Sequence, residues 1–181
     1  MLQLRDCRGA LTVRYVTEAM EGHPVDLKLE LIMLPVSDVD RAKAFYEAAG
    51  FRLDVDKAVS EEWRAVHFTP PGSEGSIMFG TGITSAAPGS AQGLYLVVSD
   101  IEEARAELVG RGIEVSEVFH DAGGLMYHGH DGGDIVHRAA GQARIAGPQP
   151  ARADYGSFAT FSDPDGNGWV LQEVKKRAPG R

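Results

Sequence analysis

Two stretches of the chain carry the same succession of apolar and polar positions. From Leu34 the sequence reads LPVSDVDRAKAFYEAAGFRLDV, and from Leu96 it reads LVVSDIEEARAELVGRGIEVSE. In each, an alternating apolar run ends in Ser-Asp, whose short oxygen-bearing side chains suit the start of a helix. Apolar residues then recur at helical spacing: Val39, Ala42, Phe45 and Tyr46 in the first stretch, Ile101, Ala104 and Leu108 in the second. That spacing predicts one buried stripe per helix. Gly50 and Gly112 supply the left-handed position that ends a helix, and an alternating strand follows each. Ser37 and Ser99, Asp38 and Asp100, Ala42 and Ala104, and Gly50 and Gly112 are all 62 residues apart. The chain is one strand–helix–strand unit written twice, with helices predicted over 38–49 and 100–110.

Two further strands complete each copy. They run over Trp63–Thr69 and Ser76–Gly80 around the turn PPGSEG, and over Gly156–Ser162 and Gly168–Val174 around DPDGN. Proline and glycine form such turns through a fixed φ and a tolerance of positive φ. Pro71 and Pro164 match at an offset of 93 rather than 62, so the second copy carries an insertion long enough to be a functional loop. The predicted fold is α+β, built of tandem βαβββ modules. Residues 1–26 form an N-terminal extension, 27–83 the first module and 84–92 a small-residue linker. Residues 93–174 form the second module with a Gly/His-rich loop inserted at 120–155, and 175–181 a tail.

Composition narrows the function classes. Among 181 residues, 43% are apolar, yet no apolar run reaches the roughly 18 residues that cross a membrane. Arg5, Asp6, Arg8 and Arg14 interrupt the first segment and argue against a secretory signal. The single cysteine, Cys7, excludes an intramolecular disulfide and fits a reducing cytoplasm, the expected location. A net charge of −8 without a basic stripe argues against nucleic acid and membrane as partners.

The Val-Ser-Asp start of each helix, AFYE in the first helix and DPDGN before the last strand together resemble the vicinal oxygen chelate superfamily. That group includes glyoxalase I, extradiol dioxygenases, fosfomycin-modifying enzymes and bleomycin-binding resistance proteins. The resemblance runs from about Leu27 to Val174. It implies a curved mixed sheet around a cleft, with metal ligands on the first and last strands of each module. Here those places fall on Leu31 and Met78 (or Ile77) in the first module, and on Gly93 and Val170 in the second. None suits a divalent ion: a thioether is soft and glycine has no side chain. No metal and no cofactor are therefore expected at the family position, and a divalent ion could be held only through relocated ligands.

Strand alternation turns Met33, His67, Met78, Tyr95, Phe158, Thr160 and Gln172 toward the cleft, and Ile77, Phe79, Trp169 and Leu171 toward the helices. The cleft lining is apolar with a few polar handles, as in small-molecule sites. His67 is the candidate acid or base, Trp63 and Tyr95 are candidates to stack on a flat ligand, and Gln172 could hold one by its amide. Glu173 reads as a solvated edge charge. In the insertion, His120, His128, His130 and His137 accompany Asp121, Asp131 and Asp134. They read as part of a lid that brings His128 and His130 to a ligand, with a zinc or nickel site and a dimer-contact or disordered loop as the other readings. The leading expectation is a glyoxalase/bleomycin-resistance-like protein that binds a small, partly apolar molecule, with catalysis left open. The alternative is a metal-dependent lyase or dioxygenase whose ligands come from His67, His120, His128 and His130. A third reading is an accessory module without a ligand. The paired-module arrangement leaves a homodimer open.

Overall fold

The computed structural model describes residues 27–121 and 144–177. In chain order the elements are β1 (Leu31–Met33), α1 (Val39–Ala48), β2 (Arg52–Ser60), β3 (Trp63–Thr69) and β4 (Ser76–Thr81). The second module follows with β5 (Leu94–Val98), α2 (Ile101–Gly110), β6 (Phe119–Asp121), β7 (Arg144–Ala146), β8 (Ser157–Ser162) and β9 (Gly168–Glu173). Both helices lie where the apolar spacing predicts them. Asp38 caps α1 by accepting from the Arg41 amide at 2.9 Å. Asp100 caps α2 by accepting from the Glu102 and Glu103 amides at 2.9 and 3.0 Å. Those bonds satisfy backbone donors that a helix start otherwise leaves open. Gly50 ends the first helix region at φ +87°, and a Cβ there would lie 2.2 Å from Arg111 Nη1. The left-handed φ is what favours glycine at that position, since the Arg111 guanidinium ends a flexible side chain that can move aside.

Each module builds one mixed sheet. The first has the order β1-β4-β3-β2 and the second β5-β9-β8-β6-β7. In both, the first strand runs parallel to the last and lies at the sheet edge. The second module departs from the first where the insertion leaves. Its second strand is reduced to a bridge between Val115 and Phe161 followed by β6, and β7 returns antiparallel to β6.

One core joins the modules. Tyr46, Phe51, Phe68, Ile77 and Phe79 of the first module pack with Ile101, Phe161, Trp169 and Leu171 of the second. Phe51 meets Trp169 edge-on at 5.8 Å, and Phe161 stacks on Trp169 at 5.9 Å between centroids. Such aromatic pairs add about 1 kcal/mol each beyond the area they bury. The residues predicted to face the helices, Ile77, Phe79, Trp169 and Leu171, all lie in this core. A smaller cluster of Phe119, Phe158 and Val170, with Tyr95 against it, occupies the other face of the second sheet.

The turn DPDGN holds the two modules together. Asp163 is buried, and its Oδ1 accepts from the amides of Asp165 and Asn167 at 3.0 and 2.9 Å. Its Oδ2 accepts from the Tyr46 hydroxyl at 3.0 Å and the Asn167 amide nitrogen at 2.8 Å. Trp169 Nε1 in turn donates to the Tyr46 hydroxyl at 3.2 Å. Burial, then the Asp163 carboxylate, push the Tyr46 phenol well above its ordinary pKa, so it stays a neutral donor. Asn167 Nδ2 reaches across to the Pro35 carbonyl at 2.9 Å, and its Oδ1 accepts from the Ala91 amide at 3.1 Å. The segment between modules is tied into the same knot, with Gly89 donating its amide to the Pro35 carbonyl at 3.1 Å. A Cβ on Gly89 would lie 2.1 Å from the Asp165 carbonyl.

Candidate functional site

On the first sheet, the face turned away from the shared core carries Leu31, Met33, Val55, Trp63, His67, Thr69, Ser76 and Met78. Pairing registers set these side by side: Leu31 with Ser76, Met33 with Met78, and His67 with both Val55 and Met78. Met33, Val55 and Trp63 are exposed to 50%, 39% and 39%, a high share for large apolar side chains. His67 is half-buried, and its Nε2 donates to the Met78 sulfur at 2.8 Å. A thioether is a weak acceptor, so this contact orients the ring while leaving Nδ1 for a ligand.

Beside His67 lies a polar chain that sequence reading missed. The Thr69 hydroxyl donates to Asp54 and sits 2.8 Å from the Ser76 hydroxyl, while Arg52 Nε donates to Asp54 at 2.6 Å. The Arg52 and Thr69 bonds hold the Asp54 carboxyl below the usual carboxylate range. Thr69 and Ser76 were within reach of the alternation argument, being two residues from His67 and Met78 on the same strands. Asp54 was not, because the pairing register shifts between Leu53 and Val55. A bulge of this kind re-aims a side chain.

On the second sheet the corresponding face carries Tyr95, Phe158, Thr160, Val170 and Gln172, paired as Tyr95 with Val170, Phe158 with Gln172 and Thr160 with Val170. Phe158 and Gln172 are buried, while Tyr95 and Thr160 are half-buried. Burial raises the Tyr95 phenol, keeping it a neutral donor. Gln172 Nε2 donates to the Tyr155 carbonyl at 3.3 Å. The predicted residues thus form two sets, Met33, Trp63, His67 and Met78 on one sheet and Tyr95, Phe158, Thr160 and Gln172 on the other.

The residues on these faces do not fit a divalent metal at the family position. Leu31, Met78 and Val170 stand on the strands, and Gly93 precedes β5 at φ +74°. None offers imidazole or carboxylate. Among the described residues no group of three or more His, Cys, Asp or Glu could hold an ion. His120 lies in β6, where Nδ1 donates to the Gly147 carbonyl at 2.8 Å. His128, His130 and His137, and with them most of the predicted lid, lie outside the described residues.

Glu173 corrects the expectation of a solvated edge charge. It is fully buried, because β9 is an inner strand and the chain returning from the insertion covers its end. Arg152 Nη2 and Nε donate to its two carboxylate oxygens at 2.5 and 3.0 Å, and Nη1 donates to Glu102 at 2.6 Å. A two-point Arg–carboxylate pair is the strong form of such a bond. It fastens the return segment to β9 and to the start of α2.

Two βαβββ modules that share a core and turn their other faces outward define an α+β scaffold. The chain belongs to the Glyoxalase/Bleomycin resistance protein/Dioxygenase superfamily, whose model matches residues 28–171. Among curated proteins, none matches it. Among solved structures it is similar to TnmS3, an antibiotic binding protein from Streptomyces sp. CB03234. That likeness has 27% identity and a TM-score of 0.56, covering 82% of this chain and 97% of the other. A glyoxalase/bleomycin resistance protein from the same Streptomyces is 28% identical with a TM-score of 0.54, over 81% of this chain and 100% of the other. A superfamily member from Sphaerobacter thermophilus DSM 20745 is 25% identical with a TM-score of 0.55, over 82% and 98%. Among the described residues no helix is long and apolar enough to cross a membrane.

Proposed function

We propose that this chain is a metal-independent binding protein for a small, partly apolar, antibiotic-like molecule, held on the outward sheet faces. The observation that carries the reading is the chemistry of those faces. At the four family ligand positions stand Leu31, Met78, Gly93 and Val170, and around them lie exposed Met33 and Trp63 with one oriented imidazole, His67. Apolar area supplies affinity on such a surface, and a few placed polar groups supply orientation. The likeness to TnmS3 supports the same reading. Trp63 and Tyr95 offer rings to a flat ligand. His67, Thr160 and Gln172 offer hydrogen bonds, and His67 is the residue able to move a proton.

We further propose a homodimer in which a second copy covers these faces. A large apolar area left open on a sheet is a common mark of an interaction surface. Sedimentation velocity across a hundredfold concentration range tests this, and a monomer throughout would remove the dimer.

A thermal-shift screen of chelator-treated protein against aromatic and glycopeptide antibiotics tests the function. At least one compound is expected to raise the melting temperature, with a rise that shrinks in Trp63→Ala and His67→Leu. A screen with no stabilising compound, or a rise indifferent to both substitutions, would sink the reading. The alternative of a lyase or dioxygenase with relocated ligands would appear as about one tightly held transition metal per chain in untagged protein, lost in His67→Leu.

A further inference from the structure

The two modules leave their first strands at sheet edges, and the two edges are treated differently. On β1, Leu34 and Ile32 bond toward β4, so Met33 and Pro35 aim their backbone groups away from the sheet. The outward Pro35 carbonyl is taken by Asn167 Nδ2 and the Gly89 amide. The equivalent residue on β5, 62 positions later, is Val97. Val98 accepts from the Val174 amide, so it bonds inward to β9 and Val97 points its N–H and C=O outward. No described residue bonds those two groups.

They face a groove of about 340 Å³ between the modules, lined by Phe51, Pro70, Pro71, Ser73, Leu108 and Arg111 among others. Its walls are mainly apolar, and Arg111 at its rim is paired with Glu107 at 2.5 Å. The volume lies in the range of small-ligand sites.

We propose that this groove, which meets the second outward sheet face at Tyr95, is a second binding site for a short extended peptide or peptide-like molecule that adds to the open edge of β5. The molecule itself supplies the argument for the ligand class. At the matching edge of β1 a turn of the chain already fills the place, and the group it sets on the outward carbonyl is a carboxamide. At β5 the same edge geometry meets an apolar slot instead of a turn. A peptide laid along it would exchange main-chain bonds with Val97 N–H and C=O, and its side chains would enter the slot between Phe51, Pro71 and Leu108. Strand addition of this kind draws affinity from the main chain and selectivity from the pockets beside it.

Two substitutions isolate the site. Val97→Pro deletes the outward N–H and keeps the β5–β9 ladder, because a proline at an edge position loses only a donor aimed away from the sheet. The first module already carries Pro35 at this place. Ser73→Trp fills the mouth from an exposed turn position. The probe is the capped tripeptide acetyl-Val-Asn-Val-amide, titrated into full-length 15N-labelled protein and followed by amide shifts. Saturable shifts are expected, largest at Val97 and present at Ser73, Leu108 and Arg111. Each variant should weaken binding at least tenfold while amide dispersion and melting temperature stay near those of the parent. The absence of saturable shifts at Val97 with millimolar peptide would overturn the proposal. So would undiminished binding in Val97→Pro, or Val97 shifts that follow protein concentration without peptide, which would assign the edge to a second copy.

Discussion

The turn between β3 and β4 and the turn between β8 and β9 occupy the same place in the two modules, and they leave the module boundary in opposite states. Pairing of Phe68 with Ile77 and of Phe161 with Trp169 sets Pro70 in the place of Asp163 and Gly75 in the place of Asn167. The helix residue facing each turn also differs, with Leu108 standing 62 positions after Tyr46. On one side a hydroxyl, a carboxylate and a carboxamide complete one another across the boundary. On the other, proline, glycine and leucine have nothing to exchange, and a groove remains. The burial of the helices follows suit: α1 buries Ala42 and Tyr46 completely, whereas Ala104 and Leu108 of α2 are only partly covered. The lesson is that DPDGN, one of the motifs that carry the family resemblance, works as a fastener between modules. It therefore reports the fold and says little about chemistry.

The largest effect should come from opening the fastener. Asp163→Ala removes the acceptor shared by Tyr46 and Asn167 and is expected to cost about 4 kcal/mol, since it leaves several buried donors unpaired. The corresponding fall in melting temperature is about 10 °C. A loss within about 0.5 kcal/mol would break the comparison. Tyr46→Phe keeps the ring in the core and deletes only the hydroxyl that donates to Asp163 and accepts from Trp169. About 1.5 kcal/mol is expected by chemical denaturation.

An acid titration probes the exposed ion pairs separately. Bonds from Arg64, then Lys43, hold the Asp56 carboxyl below the usual carboxylate range. Its folded pKa is thus lower than the unfolded value of about 3.9. The stabilisation it gives is complete above that value and fades as pH falls through the folded pKa. Asp56→Asn should flatten this part of the stability curve below about pH 4, and an unchanged slope would show the pairs to be inert. The smallest effect belongs to the groove side. Pro71→Ala and Glu74→Ala, both at exposed turn positions, should each change stability by less than about 0.5 kcal/mol, and a cost near that of Asp163→Ala would erase the asymmetry.

How far the chain announced this arrangement depends on the distance over which each feature acts. The caps Asp38 and Asp100 bond amides two or three residues ahead, so local pattern sufficed for both helices. Alternation along single strands likewise set Met33, His67 and Met78 on one face. The bond between Tyr46 and Asp163 spans 117 positions, and no local pattern carries it. Asp54 escaped notice because a bulge reverses its side, and Glu173 was misread because Arg152 reaches it from the end of the inserted segment. For the candidate site, sequence supplied the residues of each face, and the polar chain around Asp54 came from the fold.

The claim that matters most is that this face binds a small molecule without a metal. Isothermal titration of the compound found by thermal shift, into protein held in chelator and into untreated protein, tests it in one measurement. The account predicts the same affinity in both samples, reduced about tenfold in His67→Leu by loss of one polar contact. Affinity that disappears with chelator and returns with an added divalent ion would contradict it.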